Sequence, residues 1–195
     1  MYAVGVDIGG TKIDCVLMDS AGHVIRDVIV PTAPHEGAAA VFDRIAGSVG
    51  ALAEHAPGEI VSIGIGCTGL VNQQAGMIEN SVHLNWQNVP LREGVRERLR
   101  LDVPIAIEND LKAAALGEKR FGAGKNSAAF VYLAIGTGLG SAAVINDRVV
   151  SGSRGLAMEI GHLMIDPNGR RCACGRRGCL ETFLSGTGLA HAAGI

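Results

Sequence analysis

Apolar residues recur along this chain first with a period of two and then with a spacing of three or four. The changes between these patterns lay out its elements. Tyr2–Ile8 is apolar and rich in β-branched residues, and Lys12–Met18 alternates. Both read as strands, joined across Gly9-Gly10-Thr11. Ser20-Ala21-Gly22-His23 is a turn, and Val24–Val30 is a third strand that stops at Pro31. Val41, Ile45, Val49 and Leu52 share one face of a helix over residues 38–54. Ile60–Ile65 and Met77–Val82 read as further strands. Pro90 opens a helix with Leu91, Val95 and Leu99 on one side. Val103–Ile107 is a strand running into Glu108-Asn109-Asp110, where Asp110 takes the N-cap or first turn of a helix reaching Arg120.

Residues 129–150 then repeat the opening in outline: an apolar strand, a glycine-threonine turn, a second strand, an Asn-Asp turn and a third strand. Ile135-Gly136-Thr137-Gly138 stands where Ile8-Gly9-Gly10-Thr11 stood. Two copies of one unit predict an α/β protein of two similar lobes with a ligand between them. The expected division is residues 1–105 for the N-terminal lobe and 106–195 for the start of the second.

Composition narrows the function. The chain has 195 residues, of which 48% are hydrophobic, enough for a real core. A net charge of −2 supplies no basic field for nucleic acid or an anionic membrane surface. No apolar run is long enough to span a bilayer, and the first residues lack the basic segment of a signal peptide. The expected compartment is the cytoplasm, where clustered cysteines suggest metal sooner than disulfide. Glycine, at 28 residues, is about twice its usual share.

Those glycines mark the candidate chemistry. In 7-DIGGTK-12 a strand delivers Asp7 to its end. Gly9 and Gly10 free the backbone to turn N–H groups towards an anion, while Thr11 and Lys12 add a hydroxyl and a charge. Asp7 suits a hydrated magnesium ion. The turn at Gly136, Thr137 and Gly138 offers the same chemistry a second time. Either turn alone is also what an ordinary hairpin uses; the repetition strengthens the pair. Gly64-x-Gly66-x-x-Gly69 is a literal dinucleotide fingerprint, but no helical stripe follows it, so it reads as a decoy that still lines a pocket. Asp110 follows a strand and precedes a helix, the position from which a carboxylate accepts a substrate hydroxyl's proton in phosphoryl transfer. By itself it is also a plain helix cap. Asn109 beside it suits a polyol.

Cys172, Cys174 and Cys179 have spacings that suit tetrahedral thiolate coordination, and His162 completes a Cys₃His set for structural zinc. Glu159 is three residues before His162, and Glu181 two after Cys179. Such carboxylates suit a ligand with several hydroxyls.

Taken together, DIGGTK at 7–12, END at 108–110, AIGTGLG at 134–140, EIGH at 159–162 and CACGRRGCLE at 172–181 resemble the ROK sugar kinases (repressor, open reading frame, kinase). That family includes bacterial glucokinases and N-acetylmannosamine kinases. The resemblance implies an actin-like, RNase H-like ATPase fold with ATP between two lobes. It implies transfer of the γ-phosphoryl group to the 6-hydroxyl of glucose or a related hexose or N-acetylhexosamine, with Mg²⁺. Asp110 would be the general base. Asp7, Gly9, Gly10, Thr11 and Lys12 would form the first phosphate loop, and Gly136, Thr137 and Gly138 the second. Gly69, Asn109, Glu159, His162 and Glu181 would contact the sugar, and His162, Cys172, Cys174 and Cys179 would bind zinc. Full-length relatives, at roughly 300 residues or more, would be homodimers, so the second lobe here is expected to be incomplete and to expose apolar surface. Family repressors carry a DNA-binding helix-turn-helix ahead of the first strand; with this sequence opening at that strand, no nucleic-acid partner is expected. The alternatives are a sugar-sensing regulator without turnover and an inactive N-terminal fragment of a sugar kinase.

Overall fold

The structure is a computed structural model that describes residues 1–194; Ile195, where the expected second lobe also ends, lies outside them. The chain falls into two compact units, Met1–Ala113 and Ala114–Ile195.

The first unit contains β1 (Tyr2–Ile8), β2 (Lys12–Asp19), β3 (Val24–Pro31), α1 (Ala38–Ala53), β4 (Ile60–Cys67), β5 (Leu70–Asn72), β6 (Met77–Ser81), β7 (Trp86–Val89), α2 (Leu91–Arg96) and β8 (Ile105–Asn109). Its main sheet has the order β3-β2-β1-β4-β8. The first three strands form an antiparallel meander, and β4 and β8 join parallel to β1. The period of two places Val4, Val6 and Ile8 of β1 beside Ile13, Cys15 and Leu17 of β2 in one buried cluster. The period near 3.6 brings Val41, Ile45, Val49 and Leu52 of α1 into the same cluster, each fully buried. Ile45→Ala is expected to destabilise this unit by about 2–5 kcal/mol, read from urea unfolding. Within α2, a Cβ on Gly94 would lie 2.1 Å from the Phe42 ring, so glycine lets α2 close on α1. Phe42 in turn meets Trp86 edge-on at 5.9 Å.

Two features of this unit differ from the sequence expectation. Residues 70–89 form a small antiparallel sheet, β5-β6-β7, where a single strand over Met77–Val82 was expected. Leu70–Asn72 is too short to display a period, and Trp86–Val89 follows a turn with Asn85 at φ 53°. The division between units also falls later than residue 105, because β8 hydrogen-bonds into the first sheet beside β4 and runs on through Asn109.

α3 (Asp110–Phe121) carries the chain across the division. The second unit holds β9 (Ala129–Ile135), β10 (Leu139–Ile145), β11 (Arg148–Val149), α4 (Glu181–Leu184) and α5 (Gly186–Ala193). The three strands form an antiparallel sheet in the order β11-β10-β9. Asn146 and Asp147 both take positive φ, as a two-residue hairpin turn demands. On β9 the residues Val131, Leu133 and Ile135 are 53%, 51% and 62% exposed. This is the apolar surface expected of the second unit.

Candidate functional site

In the first unit the parallel strands end in register. Ile8 pairs with Cys67, and Cys67 with Asn109, so the carboxyl ends of β1, β4 and β8 lie side by side. Open α/β sheets bind ligands at such ends. Asp7 and Asp110 arrive there next to each other, on either side of Gly66 of β4, whose Cβ position lies in ordinary contact with both, 3.6 Å from Asp110 Cα and 3.7 Å from Asp7 Oδ1. The decoy glycine run has a structural use at its last position. Gly69, at φ +111°, takes a conformation only glycine adopts easily, and a Cβ there would lie 2.3 Å from the Asn80 carbonyl oxygen.

Asn109 organises the start of α3. Its Oδ1 accepts from the amides of Leu111 and Lys112 at 3.1 and 3.2 Å, so Asn109 makes the cap hydrogen bonds and Asp110 occupies the first turn. Its Nδ2 donates to the Gly69 carbonyl at 3.1 Å, which binds two expected sugar-contact positions to each other. Asp110 Oδ1 accepts from the Leu111 amide at 2.9 Å.

The first glycine turn runs from β1 to β2, closed by a hydrogen bond from the Gly9 amide to the Lys12 carbonyl at 3.0 Å. Lys12 Nζ meets Asp14 Oδ2 at 3.2 Å. His83, which the sequence did not single out, lies against Gly10: a Cβ on Gly10 would be 3.4 Å from His83 Cβ.

Asp7 reaches solvent on one side, but its carboxyl is held above the ordinary carboxylate pKa of 3.8 by partial withdrawal from water. The nearby charges of Asp110 and then Asp14 add to the effect, and Lys12 opposes it. Burial, helped by Asp110 and Asp7, pushes the Cys67 thiol up to about 12, so it is no nucleophile. The raised Asp7 value has a sign. The folded state favours protonated Asp7, an advantage fully present below the unfolded pKa and lost as pH rises through the folded value. Asp7→Asn is therefore expected to melt at higher temperature than the parent at neutral pH. The difference should fade on acidification below 3.8. Melting curves across that range check it.

In the second unit the glycine turn between β9 and β10 closes in three residues, with the Gly136 amide donating to the Gly138 carbonyl at 3.0 Å. Glu181 lies against this turn: its Oε2 accepts from the Leu139 amide at 3.2 Å. Gly161 passes so close to the start of β10 that a Cβ would sit 2.1 Å from the Leu139 carbonyl oxygen. Glu159 caps a single 3-10 turn, Ile160–His162, of which His162 is the last residue. The Glu159 residue is exposed.

His162, Cys172, Cys174 and Cys179 converge, with one ligand atom from each within 4.8 Å of the others. Cys172 Sγ is 3.7 Å from His162 Nδ1, and Cys174 Sγ is 3.6 Å from Cys179 Sγ. Zn–S bonds of about 2.3 Å place tetrahedral neighbours about 3.8 Å apart, so the donor set fits a zinc ion. The knuckle is shaped by hydrogen bonds from the Cys172 amide to the Arg176 carbonyl at 2.8 Å and from the Gly175 amide to the Cys172 carbonyl at 3.0 Å. The Arg176 amide beside the exposed Cys174 pulls its thiol down to about 6, which readies it as a thiolate ligand. Glu181 Oε1 stands 3.6 Å from Cys172 Sγ, so this one carboxylate touches both the cluster and the glycine turn.

The order of the first sheet, its glycine turn, the carboxylates at the parallel strand ends and the repeated hairpin define an α/β protein of the actin-like ATPase fold. Residues 3–195 match the ROK family, and the chain belongs to it. It is 40% identical over 189 residues to a glucokinase of Streptomyces coelicolor, covering 95% of this chain and 57% of that protein. It is 36% identical over 186 residues to a xylose repressor of Caldicellulosiruptor bescii, covering 93% of this chain and 46% of that one. Among solved structures, a ROK glucokinase of Streptomyces griseus in complex with glucose and AMPPNP superposes with a TM-score of 0.83 at 35% identity, covering 99% of this chain and 60% of that one. The chain thus spans about half the length of the curated relatives it matches. Among the described residues no helix is long and apolar enough to cross a membrane.

Proposed function

We propose that this chain is part of an ATP-dependent hexose kinase that transfers the γ-phosphoryl group to the 6-hydroxyl of glucose or a related hexose or N-acetylhexosamine, in the cytoplasm. The observation that carries the reading is Asp110. It is held in the first turn of α3 at the end of a parallel sheet, beside Asp7 and a glycine turn. Asp110 accepts the proton of the sugar hydroxyl and orients it. Asp7, Gly9, Gly10, Thr11 and Lys12 hold phosphate oxygens, as do Gly136, Thr137 and Gly138. Asp7 also suits a magnesium ion held through its waters, which would neutralise phosphate charge. Gly69, Asn109, Glu159, His162 and Glu181 contact the sugar. His162, Cys172, Cys174 and Cys179 would hold a structural zinc that stiffens the segment carrying Glu181 and supplies no chemistry. The likeness to glucokinases supports glucose as the first sugar to try.

A coupled ADP-release assay over glucose, N-acetylmannosamine, N-acetylglucosamine and fructose tests the reading, with this chain and a form extended to the length of its relatives. Release stimulated by one sugar supports it; none from either form with any sugar sinks it. The likeness to a xylose repressor favours one second reading, a sugar-responsive regulator without turnover. ATP-independent sugar binding with no ADP release would select that reading.

A further inference from the structure

The two glycine turns are each gripped from behind by a threonine far away in sequence. In the first unit, Thr32 Oγ1 donates to the Gly9 carbonyl at 2.7 Å, and the Thr32 amide donates to the Thr11 carbonyl at 3.0 Å. In the second unit, Thr187 Oγ1 donates to the Thr137 carbonyl at 2.8 Å, and the neighbouring Gly186 amide donates to the Gly136 carbonyl at 2.7 Å. The pattern is the same in both: one threonine hydroxyl and one backbone amide take two carbonyls of the turn. The sequence separations between each threonine and its turn, 23 and 50 residues, differ. The repeat of the first hairpin in the second therefore does not by itself explain the second grip.

Each threonine is itself fixed. Thr32 is fully buried, and its carbonyl accepts from Arg44 Nη1 of α1 at 3.2 Å. Thr187 Oγ1 lies 2.9 Å from the hydroxyl of fully buried Ser185, which also accepts from the Gly188 amide at 3.0 Å as the N-cap of α5. A Cβ on Gly186 would lie 2.9 Å from the Gly136 carbonyl oxygen, so no side chain fits between α5 and the turn.

A trans peptide is planar and sets a carbonyl and the following N–H on opposite sides. Drawing the Gly9 carbonyl back thus turns the Gly10 N–H the other way. Drawing back those of Gly136 and Thr137 does the same for the amides of Thr137 and Gly138. These are donors an anion-binding turn must present. We propose that Thr32 and Thr187 are positioning residues that hold the two glycine turns with their amides presented to the phosphates of a nucleotide. The inference rests on reading these turns as phosphate loops. Neither threonine touches the ligand.

The test uses this chain and the form extended to the length of its relatives, each with Thr32→Val, Thr187→Val and the matching serine variants. Valine keeps the shape and removes the hydroxyl; serine keeps the hydroxyl. Two measurements are made: ¹⁵N NMR of the free protein, and titration with MgATP. Each valine variant should shift the amide signals of its own turn in the free protein and weaken MgATP binding about three- to tenfold, the worth of one hydrogen bond. Each serine variant should restore both. Valine variants that bind MgATP as the parent does would overturn the proposal, as would serine variants no better than valine. A parent that binds no MgATP in either form would overturn the phosphate-loop reading and this inference with it. Valine-induced amide shifts reversed by serine would then still separate a grip that exists without that purpose from no grip. Thermal melts identify a Thr32→Val chain that has lost its fold; Thr187→Val, at an exposed position, then decides alone.

Discussion

Asp110→Asn is expected to lower phosphoryl transfer about 10²- to 10⁴-fold, the usual worth of a positioned base, with the fold and metal content unchanged. Asparagine has nearly the same shape and keeps an oxygen for the Leu111 amide, which Asp110 Oδ1 accepts from at 2.9 Å. The cap of α3 rests on Asn109, so the helix start does not depend on the lost charge. What disappears is the capacity to accept a proton. The substitution also removes a charge that raises Asp7, so the Asp7 carboxyl should titrate closer to 3.8 in the variant. Steady-state ADP release gives the rate, and NMR titration gives the Asp7 value. Rates within about tenfold of the parent would remove Asp110 from the role of base.

The second large effect is expected at Gly178. It takes φ +65°, and a Cβ would lie 1.5 Å from the Asp166 carbonyl oxygen and 2.5 Å from its carbon. Both contacts are to backbone, so no side chain can swing aside. The Gly178 amide also donates to the Arg170 carbonyl at 2.8 Å, and its carbonyl accepts from the Ile165 amide at 2.8 Å. Gly178→Ala must therefore push residues 165–170 away from the knuckle and pull Cys179 out of the ligand set. Bound zinc should fall from about one per chain to a small fraction, measured by metal analysis after dialysis. Gly175→Ala is the control: φ is +89°, but nothing lies within 4 Å of a Cβ. It should lose only about 1 kcal/mol to backbone strain and keep its metal. Equal metal content in Gly178→Ala and the parent would mean that the knuckle does not depend on this turn.

The sequence was most legible where side-chain period and burial coincide. α1 occupies Ala38–Ala53 against an expected 38–54, because Val41, Ile45, Val49 and Leu52 must all face one sheet. The first three strands and both glycine turns were equally readable, since an alternating strand can satisfy only one register and a glycine turn marks its end. The cysteine cluster was legible for a chemical reason. Three thiols within eight residues have spacings that suit one metal ion, and His162 was the nearest upstream imidazole in a matching motif.

Legibility failed where a contact joins segments with no shared pattern. α4 and α5 were not foreseen, because four and eight residues are too few for a convincing stripe. Glu181 was expected at a sugar, and the fold also sets it on the Leu139 amide. Nothing at Thr32 or Thr187 distinguishes those residues from any other threonine near a turn. The chain by itself determined its longer periodic elements, its repeated glycine hairpins, its candidate metal donors and the candidate base, all of which are set by the order and spacing of side chains. Only the tertiary structure decided that Asn109 binds Gly69, that Gly69 passes too close to the Asn80 carbonyl for a Cβ and that two threonines grip two turns. Those facts depend on backbone carbonyls and on the absence of a Cβ. Carbonyls are identical at every position of a sequence and differ only once the chain has folded.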